Sequence, residues 1–481
     1  MSKEILINIE SQEKRVAVVS DGTLDEFYIE RPQDKTIVGN IYKGKIEAIL
    51  PSIGAAFVDI GLPKKGFLYM SEIETAFESV DISKKAPARK VGKGEEVLVQ
   101  VVKESFGTKG PRLSAHIGLP GRYLVLMPQE AQRGISRRIE DEEERKRLKA
   151  ILRELKMPAN IGLIVRTAAV GKSRQELQRD ALFLMKLWSR IEKTLRKRKA
   201  PSMIYEEYDL TLRVVRDSFT DDVTKLYVDS KAEYYRIVRF MRTFLSYLSS
   251  RVEFYRGANL FEEKDIERRI SKIFDSKVFM KSKAYIVIEQ TEGLVVIDVN
   301  SGGFRKKVGQ EEAAFKVNCE AAVEIVHQLE LRDLGGIIVI DFIDMERQSH
   351  RREVLNILKK HLSCDRAKYD ILGISKFGVV EMTRERIHNT VQSLSFQTCP
   401  YCHGKGRVRS ALTMAIVVLK ELRRFLLNNR STRAVSLAVN PSVADEISKD
   451  KGGLRNIERQ FRVRINLAPS ADTHIEEFKI T

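Results

Sequence analysis

Residues 1–38 alternate apolar and polar positions in three short runs, ILINIE, RVAVVSDG and LDEFYIE. A period of two predicts strands, because successive strand side chains point to opposite faces. Three such strands are too few to close a core, so they are expected to join a later segment. Residues 39–117 hold five more strand-like runs: GNIYKGKIEAIL, AAFVDIG, KGFLYM, EEVLVQVVKE and RLSAHIGL. A charged insertion at 73–94 interrupts them. Five strands with short glycine-marked turns predict a small closed barrel of the OB type.

Residues 118–210 mix both periods. Ile161–Val165 reads as a strand. Ser173–Leu195 reads as a helix, with Leu177, Ala181, Leu184, Leu187 and Ile191 at helical spacing, and runs into a basic knot at Arg196–Lys199. Residues 211–275 carry strands and amphipathic helices, and are expected to complete the N-terminal strands. From 283 to 395 strands and helices alternate: AYIVIEQ, GLVVIDVNSGG, a helix over 311–332, GGIIVIDFIDM, a helix over 350–362, then two strands. That order predicts an α/β unit. A cysteine pair lies in 396–409, and 410–481 reads as a small α/β domain.

The 481 residues suggest about three domains by length alone. Lys and Arg number 84 against 66 Asp and Glu, a net charge of +18. A surplus of this size points to a polyanionic partner: nucleic acid, an acidic protein or an anionic membrane. The start, MSKEILINIESQEK, lacks a basic-then-apolar leader, and the longest apolar runs are strand-length. These features predict a soluble, cytoplasmic protein with no membrane partner. Four cysteines, Cys319, Cys364, Cys399 and Cys402, are too few for a disulfide scaffold.

Four groups of residues carry candidate chemistry. Asp298 and Asn300 share one face of an apolar strand, and a second apolar strand, Ile337–Ile340, ends in Asp341, with Asp344 beyond. A carboxylate in an apolar strand is costly unless paired or bound to a cation, and two on one sheet suit a hard divalent ion such as Mg²⁺. The alternative for either one alone is a turn cap or an arginine partner. Phe57 and Phe67 lie on consecutive barrel strands, with Lys43, Lys103, Lys109 and Arg112 around them in sequence. Rings interleaved with cations suit single-stranded nucleic acid, although strand aromatics are more often core.

The run GLIVRTAAVGKS at 162–173 partly matches a phosphate loop, but Arg166 stands where the first glycine is required. ATP hydrolysis is therefore not expected, while Arg166 and the adjacent Thr167 could hold a terminal phosphate. Cys399-Pro-Tyr-Cys402, followed by Gly404 and Gly406, has zinc-knuckle spacing but supplies only two of four ligands. His361, His403, Cys319 or Cys364 could complete the site within one chain, or the same motif from a second chain could. A thioredoxin-like redox pair is disfavoured, because the motif is not set between a strand and a helix.

Together these segments resemble the ribonuclease E/G family. GNIYKGKIEAILPSIGAAFVDIG, KGFLYMSEI, GLIVRTAA, TEGLVVIDVNSGG, LRDLGGIIVIDFIDM and TCPYCHGKG stand in the family's order. The resemblance spans essentially the whole chain and is most specific in IDVN, DFIDM and CPYC. It implies an α/β multidomain fold. An RNase H-like subdomain is split into 1–38 and 211–275. Into it are inserted an S1-type OB-fold barrel at 39–117 and a 5′-sensor region at 118–210. A DNase I-like catalytic subdomain follows at 276–395, then a zinc link at 396–409 and the small C-terminal domain at 410–481.

The resemblance further implies a single-strand-specific endoribonuclease in rRNA maturation and mRNA turnover that leaves 5′-phosphate and 3′-hydroxyl ends. Asp298 and Asp341 would hold the catalytic Mg²⁺, and Asn300 would orient water or the scissile phosphate. Phe57, Phe67, Lys103 and Lys109, with Lys43 and Arg112, would hold single-stranded RNA, either rRNA precursors or mRNA. Arg166 and Thr167 would bind a 5′-monophosphate. Cys399 and Cys402 would share Zn²⁺ with a partner chain, giving a homodimer or a tetramer of two dimers. Two departures from the family are Lys281-Ser-Lys283, in place of a glycine-rich turn, and Glu289, in place of an aspartate. The chain ends soon after the cysteine pair, which matches the family's shorter G branch. Rival readings are a non-catalytic RNA-binding adaptor that keeps the barrel and zinc link, and a processive 3′ exonuclease with an S1-type domain.

Overall fold

The structure, a computed structural model, describes residues 2–72, 92–105, 109–158, 161–244, 246–291, 293–303, 309–375, 377–386, 391–450 and 452–481. The insertion expected at 73–94 therefore falls largely outside the described residues. Contacts divide the chain into two compact units, Met1–Leu394 and Ser395–Thr481.

The N-terminal strands β1 (Lys3–Ile9), β2 (Lys14–Ser20) and β3 (Thr23–Glu30) form an antiparallel meander. They are finished by a segment nearly two hundred residues away, as their pattern required. A barrel follows, made of β4 (Ile41–Leu50), β5 (Ala55–Asp59), β6 (Gly66–Tyr69), β7 (Glu96–Lys103) and β8 (Arg112–Ser114). These pair in the order β4-β5-β6-β8-β7, and β4 pairs β7 to close the ring. Alternation fills the interior with Ile46, Ala56, Val58, Leu68, Val97, Val99, Val101 and Leu113. Gly66 is required there, since a Cβ would fall 2.4 Å from Leu113 Cδ1.

Next come β9 (Leu119–Pro120), β10 (Leu124–Met127), β11 (Arg133–Ile135), α1 (Glu142–Glu154) and β12 (Gly162–Val165). Their sheet order is β11-β12-β10-β9. Helix α2 (Arg174–Lys197) starts at a capping box, Ser173 with Glu176, and ends in Arg196 and Lys197, which suit the negative end of its dipole. Its buried stripe is Leu177, Ala181, Leu184, Trp188, Ile191 and Leu195, with Leu187 half-buried against the same core. The chain then returns to the barrel: β13 (Ser202–Tyr205) pairs β4, which places 202–205 on the barrel sheet.

Helix α3 (Leu210–Ser218), β14 (Val223–Val228), helix α4 (Lys231–Phe244) and β15 (Val252–Phe254) complete the first sheet. Its order is β15-β14-β1-β2-β3, with β1 and β14 parallel. The last part of this unit has β16 (Lys277–Phe279), β17 (Tyr285–Gln290), β18 (Leu294–Asn300), helix α5 (Gln310–Leu331), β19 (Gly336–Asp341), helix α6 (Gln348–Leu362), β20 (Tyr369–Ile374) and β21 (Val380–Arg384). Their order is β16-β17-β18-β19-β21-β20, and β18 and β19 are parallel. Helices α5 and α6 cover one face, burying Val295, Ile297, Val299, Ile338 and Ile340 against Val317, Ala321, Ile325, Val354 and Leu358. The other face carries the site.

The second unit holds helix α7 (Ala411–Asn428), β22 (Ala434–Val439), helix α8 (Pro441–Lys449), helix α9 (Gly453–Phe461), β23 (Arg464–Pro469) and β24 (Phe478–Ile480). The sheet order is β23-β22-β24. Among the described residues, no helix is long and apolar enough to cross a membrane.

Candidate active site

On β18 the burial alternates strictly. Val295, Ile297 and Val299 face the core, and Asp298 and Asn300 face the open side. The parallel register of β18 and β19 sets Asp298 directly beside Asp341. Adjacent strands lie about 4.8 Å apart, so two carboxylates share one small exposed area. Asn300 Nδ2 donates to Asp298 Oδ2 at 2.7 Å and fixes that carboxylate's orientation. Asp344 lies beyond the strand in an exposed loop.

Both strand ends are anchored from behind. Gly302, just past Asn300, has a φ of +57, and a Cβ there would fall 2.6 Å from the Lys283 carbonyl oxygen. The turn at Lys281–Lys283 is thus the floor under the β18 exit. Lys283 itself adopts a left-handed φ of 70, a conformation that favours glycine. Beyond Asp341, buried Asn318 of α5 exchanges two hydrogen bonds with the Ile343 backbone, at 2.7 and 3.0 Å. Glu311 accepts from the backbone N–H groups of Glu346 and Arg347 and from His350 Nδ1. The Glu346 N–H is the chief reason its carboxyl titrates below the usual range. Neither Asn318 nor Glu311 stood out in the sequence, since each reads as an ordinary polar residue on a helix.

The paired carboxylates fit a hard divalent cation. Both offer oxygen donors, both face solvent, and their mutual repulsion is relieved by a cation between them. Among the described residues no third His, Cys, Asp or Glu joins them, which suits an ion that keeps most of its water.

On the barrel, Phe57 and Phe67 are opposite each other in the β5/β6 register, with centroids 6.2 Å apart. They stand on the outer face while Ala56, Val58 and Leu68 fill the core. Register extends the row across strands: Phe67 pairs with Arg112, and Arg112 with Lys103. Tyr69, which the sequence reading passed over, lies 5.1 Å from Phe67 and under the Arg112 guanidinium at 4.8 Å. Lys109 is exposed. Lys103 forms an ion pair with Glu385 at 3.0 Å, tying the barrel row to the end of β21. Lys43 stands apart from this group: it pairs with Glu96 at 2.7 Å and donates to the Arg198 carbonyl at 3.1 Å. It closes the seam between barrel and α2.

Arg166 is the last residue before a turn that Thr167 opens on the surface. Its Nη1 donates to the Gly121 carbonyl at 2.5 Å and pairs with Asp217 Oδ1 at 2.7 Å. Burial raises the Asp217 pKa, but Arg216 and Arg166 outweigh it and bring the carboxyl down to about 2. Buried Asp180 of α2 accepts the N–H groups of Arg122, Tyr123 and Leu124, and so sets the strand that offers the Gly121 carbonyl. A Cβ on Gly121 would fall 2.6 Å from Asp180 Oδ2. Asp180 had a sequence signal, since it lies on the apolar stripe between Leu177 and Ala181.

In the second unit, Cys399 is exposed and Cys402 half-buried. The Gly406 N–H donates to Cys402 Sγ at 3.3 Å. Backbone N–H groups of Cys402 and Tyr401 aimed at the Cys399 sulfur hold its pKa below that of an ordinary thiol. His403, Gly404 and Gly406 supply the left-handed turn, with φ of 50, 80 and 67. N–H groups directed at both sulfurs suit thiolates on zinc. His474 pins the motif: Nε2 donates to the Tyr401 carbonyl at 2.7 Å, while Nδ1 accepts from Glu476. Among the described residues no third ligand candidate joins the pair. The pair lies beside a run of turns at 400–404, unlike a redox motif set between strand and helix.

Comparison with known proteins gives three family matches. The Ribonuclease E/G family matches residues 118–387, the S1 RNA binding domain matches 35–116, and the domain described as RNase E/G, Thioredoxin-like matches 398–481. Ribonuclease G of Haemophilus influenzae is 38% identical over 99% of this chain and 99% of its own length. Ribonuclease G of Escherichia coli K12 is 38% identical, covering 97% of each chain. Ribonuclease E of Escherichia coli K12 is 38% identical over 97% of this chain but 45% of its own length.

Proposed function

This chain belongs to the ribonuclease E/G family and is an endoribonuclease; on that premise we propose that it cuts single-stranded RNA hydrolytically at Asp298 and Asp341, with Mg²⁺ as cofactor. The observation that carries the reading is the lateral pairing of those two aspartates on an open sheet face, with Asn300 bonded to one of them. Asp298 and Asp341 would hold the ion, which when bound neutralises phosphodiester charge and makes water a competent nucleophile. Asn300 keeps the Asp298 carboxylate turned outward through one N–H. Its second N–H and its carbonyl oxygen can orient the scissile phosphate and the attacking water. Water attacks phosphorus in line, the bond to the 3′-oxygen breaks, and that oxygen takes up a proton. The phosphate stays on the downstream 5′ end.

The barrel row Phe57, Phe67, Tyr69 and Arg112 supports binding of single strands, through stacking at ~1–3 kcal/mol per base and phosphate pairing. The Arg166 fork supports a preference for 5′-monophosphorylated ends. Nη1 contacts both Gly121 and Asp217, and a guanidinium fork has further N–H groups with which to take a phosphate. The knuckle supports a Zn²⁺ site completed by Cys399 and Cys402 of a second chain, hence a homodimer. The strand order of the first sheet supports an RNase H-like frame around the barrel, with a DNase I-like catalytic subdomain after it. Precursor rRNA and mRNA in the cytoplasm are the proposed substrates.

The test is cleavage of a short internally labelled single strand with a 5′-phosphate or a 5′-hydroxyl, with Mg²⁺ or EDTA. Internal cuts that need Mg²⁺, and that disappear in Asp298→Asn while RNA binding persists, are expected. Cutting by Asp298→Asn at the normal rate would overturn the assignment.

A further inference from the structure

The open face that carries the carboxylates also carries three residues without a role so far, Lys277, Phe279 and Tyr285. Strand register gathers them at the same end of the sheet. Phe279 lies opposite Tyr285, and Tyr285 opposite Asn300. The neighbouring row reads Lys277, Val287, Asp298, Asp341. Val278, between the two exposed side chains, turns to the core.

The ring of Phe279 is 67% exposed. Its centroid is 5.7 Å from that of Tyr285. Lys277 Nζ stands 3.5 Å from the Tyr285 centroid and 5.0 Å from that of Phe279. The ammonium lies nearer the Tyr285 ring than the Phe279 ring, and Phe279 is the more exposed of the two. A lone exposed aromatic needs no explanation. An aromatic pair with a cation over it, on the two strands to one side of the one that carries Asp298, has the composition that binds a base and its phosphate.

We propose that Phe279, braced by Tyr285, is a stacking platform for a base flanking the scissile phosphate, with Lys277 taking the adjoining phosphate. The platform rests on the reading of Asp298 and Asp341 as the cutting centre. It is separate from the barrel row, and it sets which internucleotide bond lies over the carboxylates. Purines, with larger faces, are favoured there because preference follows stacking strength.

Single strands with 2-aminopurine at successive positions around the mapped cut site, bound to full-length protein in EDTA, report the contact. Quenching at one position beside the cut is expected. Phe279→Ala should abolish that quench and weaken binding on the order of tenfold, and Phe279→Trp should restore both. With Mg²⁺, Phe279→Ala should spread cutting over neighbouring bonds. An unchanged quench profile in Phe279→Ala overturns the platform. So does a fall in assembly mass by light scattering with the quench retained, because the ring then belongs to a contact between copies. Because the quench is read without cutting, it stands apart from the Asp298→Asn result.

Discussion

The Arg166 guanidinium meets Asp217 through Nη1, 2.7 Å from Oδ1. Asp217 therefore holds the arginine in place from one side. Asp217→Asn keeps the shape and removes the charge that orients Arg166. The expected result is a several-fold loss of the preference for 5′-monophosphorylated over 5′-hydroxyl RNA, with the 5′-hydroxyl rate little changed. Paired initial-rate measurements on the two substrates check this, and an equal fall in both rates would count against an orienting role.

Gly302 tests how tightly the proposed cutting centre is set. A methyl group there meets the Lys283 carbonyl at 2.6 Å on a left-handed backbone, so Gly302→Ala must push the β18 exit away from its floor. Displacing reacting groups by about 1 Å costs on the order of 10²-fold. We expect kcat to fall by that order while RNA affinity, measured by anisotropy with EDTA, stays within about twofold. A matching loss of affinity would show that the loop serves binding.

Tyr69 extends the ring row of the barrel and receives the Arg112 guanidinium. Tyr69→Ala should weaken single-strand binding on the order of tenfold, and Tyr69→Phe should restore it, because stacking uses the ring. Titration of a labelled oligonucleotide distinguishes the two. Failure of Tyr69→Phe to restore binding would point to the hydroxyl.

His327 of α5 faces two acceptors, the Leu24 carbonyl at 3.0 Å and Glu324 at 3.4 Å. Only the imidazolium donates to both. Burial lowers its pKa, but Glu324 and the Leu24 carbonyl outweigh that and raise it above the ordinary 6.5. A raised folded-state pKa gives stability that is complete below 6.5 and lost as pH rises through the folded value. Wild type should therefore exceed His327→Ala in stability at pH 6, by on the order of 1–2 kcal/mol. That gap should narrow by pH 9. Thermal melts at both values measure it, and a gap that widens with pH would refute the charged form.

The pairing of Asp298 with Asp341 was legible because its information is local. Asp298 and Asn300 sit in one strand, the period of two puts them on one face, and Asp341 ends a second strand of the same character. Phe57 and Phe67 were legible for the same reason, and alternation turned them outward. What stayed hidden was partnership across distance. Nothing near Lys43 in sequence announces Glu96 or the Arg198 carbonyl, so its two partners could not be read there. Arg166 gave no sign of Asp217, and the cysteine motif none of His474. Phe279 and Tyr285 carried no signal in the sequence, because only register places them in one row with Asn300.

The parallel pairing of β1 with β14 has a consequence for how the chain is made. Residues 3–9, once made, cannot find their partner until residues 223–228 have followed. The barrel, whose strands all lie between them, can close first. The β1–β3 meander meanwhile waits with its β1 edge unpaired, and unpaired strand edges are where chains stick to one another. Slowing synthesis between residues 115 and 223 should therefore lengthen that exposure and lower soluble yield, whereas slowing it after residue 254 should not.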